Sequence, residues 1–324
     1  MKKAQFFYLL RRGFFAGGGG EWSTLVNAFK TRVIADGGTL ESESCIRDDV
    51  KYLIQNPEPV AFTGLLNDYS GAAAAYSLRL LDNTYTGDAV VVRRASDNTT
   101  QAIGFVNNEL DTATLESFCS GTDGFVTTWY DQSGNGVDAD NASASSQPKI
   151  VSSGSTILEN GKAAVQFDGN DIIDTSSITH GTDDISIIGV FMNELNTGDQ
   201  SFISGVHASG MQWSRIRNNS WSPFLNTGTS TYSFTDSSFN INQQYLFGSY
   251  YASDWNVYAN NQNLDTKTIG VHDDIGSGRY TLGALFNNTD FLQGNIQEVI
   301  VYSNDQSTNR SGIETNINDF YSIY

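Results

Sequence analysis

The run Tyr130-Asp131-Gln132-Ser133-Gly134-Asn135-Gly136 gathers one carboxylate, two amides and a hydroxyl in a stretch that must turn sharply at its two glycines. Groups of this kind hydrogen-bond the hydroxyls of a sugar, and they equally staple a loop to its own backbone, the commoner use. Asp131, Gln132 and Asn135 are therefore candidates for glycan binding. Trp213 and Trp221 join them as platforms for sugar faces, as do Trp255, Tyr250 and Tyr251, although rings at strand spacing more often fill a core. Asp168, in the run Phe167-Asp168-Gly169, is most simply a turn residue at a strand end. Calcium needs several convergent oxygen ligands, and one or two are in view, so no metal is assigned. His180, His207 and His272 are scattered and have no serine or cysteine nucleophile pattern beside them, which gives none a catalytic role. Cys45 and Cys119 make neither a disulfide framework nor a zinc-type cluster. No cofactor is expected.

Composition narrows the class. The chain has 324 residues, 36 acidic against 18 basic, for a net charge of −18, and only 17% of its residues are charged. Such an excess of acid repels phosphate backbones, so nucleic acid is not an expected partner. No run of apolar residues reaches the roughly 18 needed for a bilayer span, so no membrane association is expected. The apolar run at 4–10 follows Lys2 and Lys3, but Arg11 and Arg12 interrupt it and no clean cleavage site follows, which argues against a signal peptide.

Three segments are expected to position these groups. Residues 1–20 form a basic, aromatic arm without an acid, closed by the tether Gly17–Gly20; Phe6, Phe7, Tyr8, Arg11 and Arg12 would anchor it to a partner surface. Residues 21–59 read as a short helical hairpin, with Leu25, Val26, Phe29, Val33 and Ile34 on one face and a second helix over 42–55. Residues 60–324 read as mainly β, a sandwich or jelly roll. Strands are expected at 89–94, 126–130, 163–167, 185–192, 245–251, 255–259, 279–283 and 295–302. Ile313, Ile317 and Phe320 predict a closing helix within 308–324.

With these elements laid out, the chain resembles a known family. Residues 75–150, including the runs AYSLRLL, LDTATLESFC and above all TTWYDQSGNG, resemble the catalytic module of fungal-type α-L-arabinofuranosidases. The remainder, with VQFDG at 165–169 and LQGNIQEVIVYS at 292–303, is similar to the concanavalin A-like jelly roll of laminin-G-type domains. Both resemblances imply a concanavalin A-like β-sandwich over 60–324. A retaining glycosidase needs two carboxyl groups about 5–5.5 Å apart. The segment matching the family's nucleophile strand, 213–225, reads WSRIRNNSWSPFL and holds no Asp or Glu; Asn287 falls where the acid is expected, and Asp290 lies three positions on. Cys119 matches half of a family disulfide whose partner position is Gly124 here.

These departures predict a scaffold without catalysis. The arm, the module and the C-terminal run are similar in type to virion proteins of tailed bacteriophages. The expectation is therefore a non-catalytic virion structural protein, a capsid decoration, fibre or tail component assembled in the host cytoplasm. It would bind other virion proteins through the arm and glycans through Asp131, Gln132, Asn135, Trp213, Trp221, Asn287 and Asp290, with homo-oligomer assembly as an option. The alternative is an α-L-arabinofuranosidase-like glycoside hydrolase.

Overall fold

The computed structural model describes residues 62–180, 184–195, 197–207, 211–217, 220–226, 230–269 and 277–324. The arm with Phe6, Phe7, Tyr8, Arg11 and Arg12, the helical hairpin, Cys45 and His272 lie outside the described residues.

Two antiparallel layers face each other. In the back layer the longest strand, Gln293–Tyr302, pairs on one side with Ala72–Ser77 and Val165–Asp168 and on the other with Ile185–Asn193. Gln244–Tyr251, Asp254–Ala259 and Gln262–Thr268 follow outward. The front layer runs from Val90–Arg94 through Gly124–Trp129, Ala139–Asp140, Ile173–Thr175 and Ser277–Leu282 to Asp199–His207, Met211–Arg217, Phe224–Asn226 and Thr231–Ser233. This is the mainly β jelly roll expected from the turn-punctuated strand pattern.

Aromatic rings fill the space between the layers. Phe191 stacks on Phe202 with centroids 4.1 Å apart, and Trp221 lies against Phe239, Tyr245 and Phe247 at 5.1–5.7 Å. Offset and edge-on contacts of this sort add to the area that large rings bury. Every residue of Ile185–Asn193 is buried, because the outer side of the back layer is covered as well. There the helix Arg310–Tyr321 lays Ile313, Ile317 and Tyr321 on Ile188, Val190, Leu246 and Ile300. A strand covered on both faces loses its alternation and reads as a continuous apolar run.

One ion pair sits inside this second core. Arg79 donates to both oxygens of the fully buried Glu298, Nε at 2.7 Å and Nη2 at 2.9 Å, while Ser77 Oγ donates to the same carboxylate at 2.8 Å. A buried charge pair is tolerated only when its remaining donors and acceptors are also satisfied, and Arg79 Nη1 donates to Asn316 Oδ1 at 2.8 Å. The pair ties Ala72–Ser77, the central strand and the closing helix together.

Gly283, directly after Ser277–Leu282, has φ +83°, and a Cβ there would lie 2.1 Å from the Phe167 ring. Only glycine lets the chain leave the front layer at this point. It begins the 283–292 loop, which carries Asn287 and Asp290.

Candidate functional site

Two places could hold chemistry. The first is the Tyr130–Gly136 loop. Asp131 is 4% exposed and accepts four hydrogen bonds: from the amides of Ala75 and Ser133 at 2.8 Å, Ser133 Oγ at 2.7 Å and the Val137 amide at 3.1 Å. Gln132, 2% exposed, accepts from the Leu81 amide and donates to the carbonyls of Ser77 and Arg79. Asn135 is exposed, yet its amide nitrogen donates to the carbonyls of Ala72 and Ala73. The loop thus spends its polar groups on the strand 72–77 and the segment after it. It is a staple, and its carboxylate has no open side for a sugar.

Trp221 is 1% exposed and belongs to the core between the layers, as do Tyr250, Tyr251 and Trp255 to the two cores, so none of these rings offers a face outward. The backbone of Trp213 pairs with Ser204 and Phe224. His180 is buried between Tyr280 Oη at 3.2 Å and Ser303 Oγ at 2.7 Å. Asp171, rather than Asp168, is the buried carboxyl of the Asp168–Asp171 turn, and burial with the neighbouring Asp168 charge pushes it up to about 7.

The second place is the side of the front layer turned away from the core. Arg215 and Arg217 alternate along Met211–Arg217, which puts both on one face. Opposite them in register are Ser201 and Asp199. Arg217 grips Asp199 in a fork, Nε at 2.9 and 3.0 Å from its two oxygens and Nη2 at 2.6 Å. Arg215 reaches Asp199 only at 3.7 Å and gives its other donors to Ser222, to the carbonyl at 3.2 Å and the hydroxyl at 3.1 Å.

Asp290 is brought to the same spot by the 283–292 loop. Its carbonyl accepts from the Ser201 amide at 2.9 Å, next to Asp199, and it adopts φ +52°, a left-handed turn conformation that Asp takes more readily than most L residues. Burial first, then the charge of Asp199, pushes the Asp290 carboxyl up, against the opposing pull of Arg215 and Arg217. The loop is also tied from the other side. Arg279 donates to the Phe286 carbonyl at 3.3 Å and pairs with Asp174 at 3.1 Å, and Thr281 Oγ1 donates to Asp174 at 2.5 Å. Asn287 is exposed in the loop and accepts from Thr289 Oγ1 at 2.6 Å.

Of the residues singled out in the sequence, Asp290 is the one with a described side chain that is tied to this face, while Asn287 lies exposed in the same loop. Asp174, Asp199, Arg215, Arg217 and Arg279 went unremarked. The Ser-Arg-Ile-Arg alternation at 214–217 was the available signal, since two cations on one strand face need a counter-charge.

Comparisons with known proteins bear on both places. The family model described as the catalytic domain of α-L-arabinofuranosidase B matches residues 68–207, which include the stapled loop and the strand carrying Asp199. No curated protein sequence matches the chain. Among solved structures, a GH54 α-L-arabinofuranosidase soaked with a cyclic sulfate inhibitor is similar at TM-score 0.62 and 17% identity, covering 76% of this chain and 62% of its own. A Glu-to-Gln variant of a GH54 enzyme soaked with 4-nitrophenyl α-L-arabinofuranoside gives TM-score 0.63, with 17% identity and the same coverages. An arabinofuranosidase complexed with arabinofuranosyl-α-1,2-xylobiose gives 0.60 and 16%, again covering 76% and 62%. The chain thus spans about 62% of the length of these structures.

The fold is an arabinofuranosidase-like jelly roll. The expectation of a non-catalytic virion structural protein is corrected by the same findings: the matching model is of a catalytic domain and the similar structures are glycoside hydrolases.

Proposed function

We propose that the chain is a glycoside hydrolase acting on α-L-arabinofuranosides, with Asp290 as proton donor and Asp199 as the second carboxylate. The observation that carries this reading is the meeting of two aspartates from separate segments on one arginine-flanked face, in environments that differ. Pairs of acids whose surroundings set them apart are the usual basis of acid and base assignments. Asp290, with its carboxyl pushed up by burial and by Asp199, is suited to hold a proton that it delivers to the glycosidic oxygen. As that C–O bond breaks, positive charge grows at the anomeric carbon, and the Asp199 carboxylate faces it.

The fork with Arg217 fixes Asp199 in place and drains its nucleophilicity. Its assigned role is therefore to stabilise charge while a water molecule adds to the anomeric carbon and returns a proton to Asp290. Because the proton must sit on Asp290 at the start, turnover falls as pH rises through the value of that group.

Release of 4-nitrophenol from 4-nitrophenyl α-L-arabinofuranoside tests the reading. Turnover is expected for the native chain, and Asp290→Asn should lower it by about 10²–10⁴-fold, the range of general acid catalysis. Absence of turnover across pH 4–8, or an Asp290→Asn variant as active as the native chain, contradicts it.

A further inference from the structure

A cavity of about 500 Å³ opens on the opposite side of the sandwich, against the closing helix. Its walls are two small hairpins outside the main layers, Phe105–Val106 with Glu109–Leu110 and Leu158–Glu159 with Lys162–Ala163. Each turns on two residues in the left-handed region, Asn107-Asn108 at φ +52° and +68° and Asn160-Gly161 at +49° and +77°. Turns of this kind hold a hairpin rigidly in register, so the walls are built features. Asn160 further donates to the carbonyls of Tyr321 and Ser322, fastening one wall to the helix.

The lining is amphipathic. Leu78, Leu110 and Phe320 lie in it, Val106 and Leu158 stand at the mouth 51% and 56% exposed, and Glu109, Asp111 and Lys162 supply the polar groups. Val106 and Leu158 are half of the four exposed large apolar residues among the described ones, and both fall at this one opening. Lys162 Nζ sits 4.1 Å over the Phe320 ring and 2.7 Å from Glu109, so the ammonium spans the cavity from wall to wall.

We infer that this cavity is a second, non-catalytic carbohydrate site, which takes a neutral stretch of polysaccharide chain and holds it to the enzyme. The identity of the ligand rests on the hydrolase reading above. The volume falls in the range of small-ligand sites, about 300–1,000 Å³. A sugar presents apolar C–H faces to Val106 and Leu158, while its hydroxyls bond Asp111, Glu109 and the Lys162 ammonium.

Charge selects the ligand. Two carboxylates stand against one ammonium already engaged with one of them, in a chain of net charge −18, which disfavours phosphate- or carboxylate-bearing ligands. A folded protein partner is the poorer fit, because interface hot spots want an aromatic or arginine anchor, and Phe320, the one such side chain in the cavity with Tyr321, is covered by Lys162.

Affinity electrophoresis of the full chain in gels containing soluble arabinoxylan or debranched arabinan, without and with the exposed-residue change Leu158→Asp or Val106→Asp, tests the site. The native chain is expected to be retarded by at least one of the two polymers. Either variant should weaken that retardation tenfold or more, while its melting temperature and its turnover of 4-nitrophenyl α-L-arabinofuranoside stay unchanged. Asp290→Asn should be retarded like the native chain. No retardation of the native chain, or variants retarded equally, overturns the inference. Retardation that depends on Leu158 and Val106 in a chain without turnover would leave this site standing and remove only the hydrolase reading. Binding of a carboxylated polymer such as polygalacturonate in preference to the neutral ones would also overturn it.

Discussion

Asp131 and Asp290 are the same residue type in opposite surroundings. Asp131 lies in a loop whose composition announces a turn, and the fold consumes it: four donors converge on its oxygens and it is sealed from water. Asp290 lies in a loop of mixed apolar and polar residues, half-buried beside another carboxylate, in a left-handed turn conformation. The first lowers the energy of the folded chain, and the second sits where the fold tolerates conflict.

The largest loss of stability is expected at Asp131. Asp131→Ala would leave the buried amide of Ala75 and the part-buried amide of Val137 without their acceptor, each at about 1–3 kcal/mol, so the variant should lose roughly 2–5 kcal/mol in urea denaturation. A loss under 1 kcal/mol would show that the loop is no staple.

A smaller effect is expected at the neighbouring Cys119. It is buried, and a Cβ at Gly124 would lie 2.7 Å from its sulfur, close to the separation within a disulfide. Gly124→Cys should therefore form a bridge on oxidation. Closing so short a loop is worth about 2 kcal/mol, less the strain against Val92 and Val151, whose atoms lie 3.1 Å from that Cβ. The check is the melting temperature of one variant with and without reductant: a higher value when oxidised is expected, and an equal or lower value counts against the geometry.

A further effect concerns a group with no assigned chemistry. The folded chain holds the Asp171 carboxyl up at about 7, above its value in the unfolded chain. The stability this gives is complete at pH below about 4 and is lost as pH rises through about 7. Asp171→Asn should flatten the fall in melting temperature between pH 4 and 8, and an unchanged slope would assign that fall to other groups.

Legibility followed the same division. Strands such as Ile185–Asn193 and Gln244–Tyr251 stood out because burial on one or both faces writes itself as apolar residues. The closing helix was legible from Ile313 and Ile317 at helical spacing. The Asp131 staple was legible as turn chemistry, since the carboxylate, the hydroxyl and the glycines are neighbours in sequence. Asp199–His207 was missed, because polar and small residues break its pattern and a bulge between Ser201 and Ile203 shifts its alternation. The meeting of Asp199 with Asp290 was illegible for a further reason. It depends on a loop leaving the front layer at Gly283 and returning to Ser201, a contact between residues some ninety positions apart that no local pattern records.

The proposed division of labour, in which Asp131 holds the fold and Asp290 performs the chemistry, is open to one paired experiment: turnover of 4-nitrophenyl α-L-arabinofuranoside and thermal unfolding measured side by side for the native chain and Asp290→Asn. A melting temperature within about 2 °C of the native value is expected together with a fall in turnover of about 10²–10⁴-fold. A variant that melts early, or one that keeps its turnover, would contradict it.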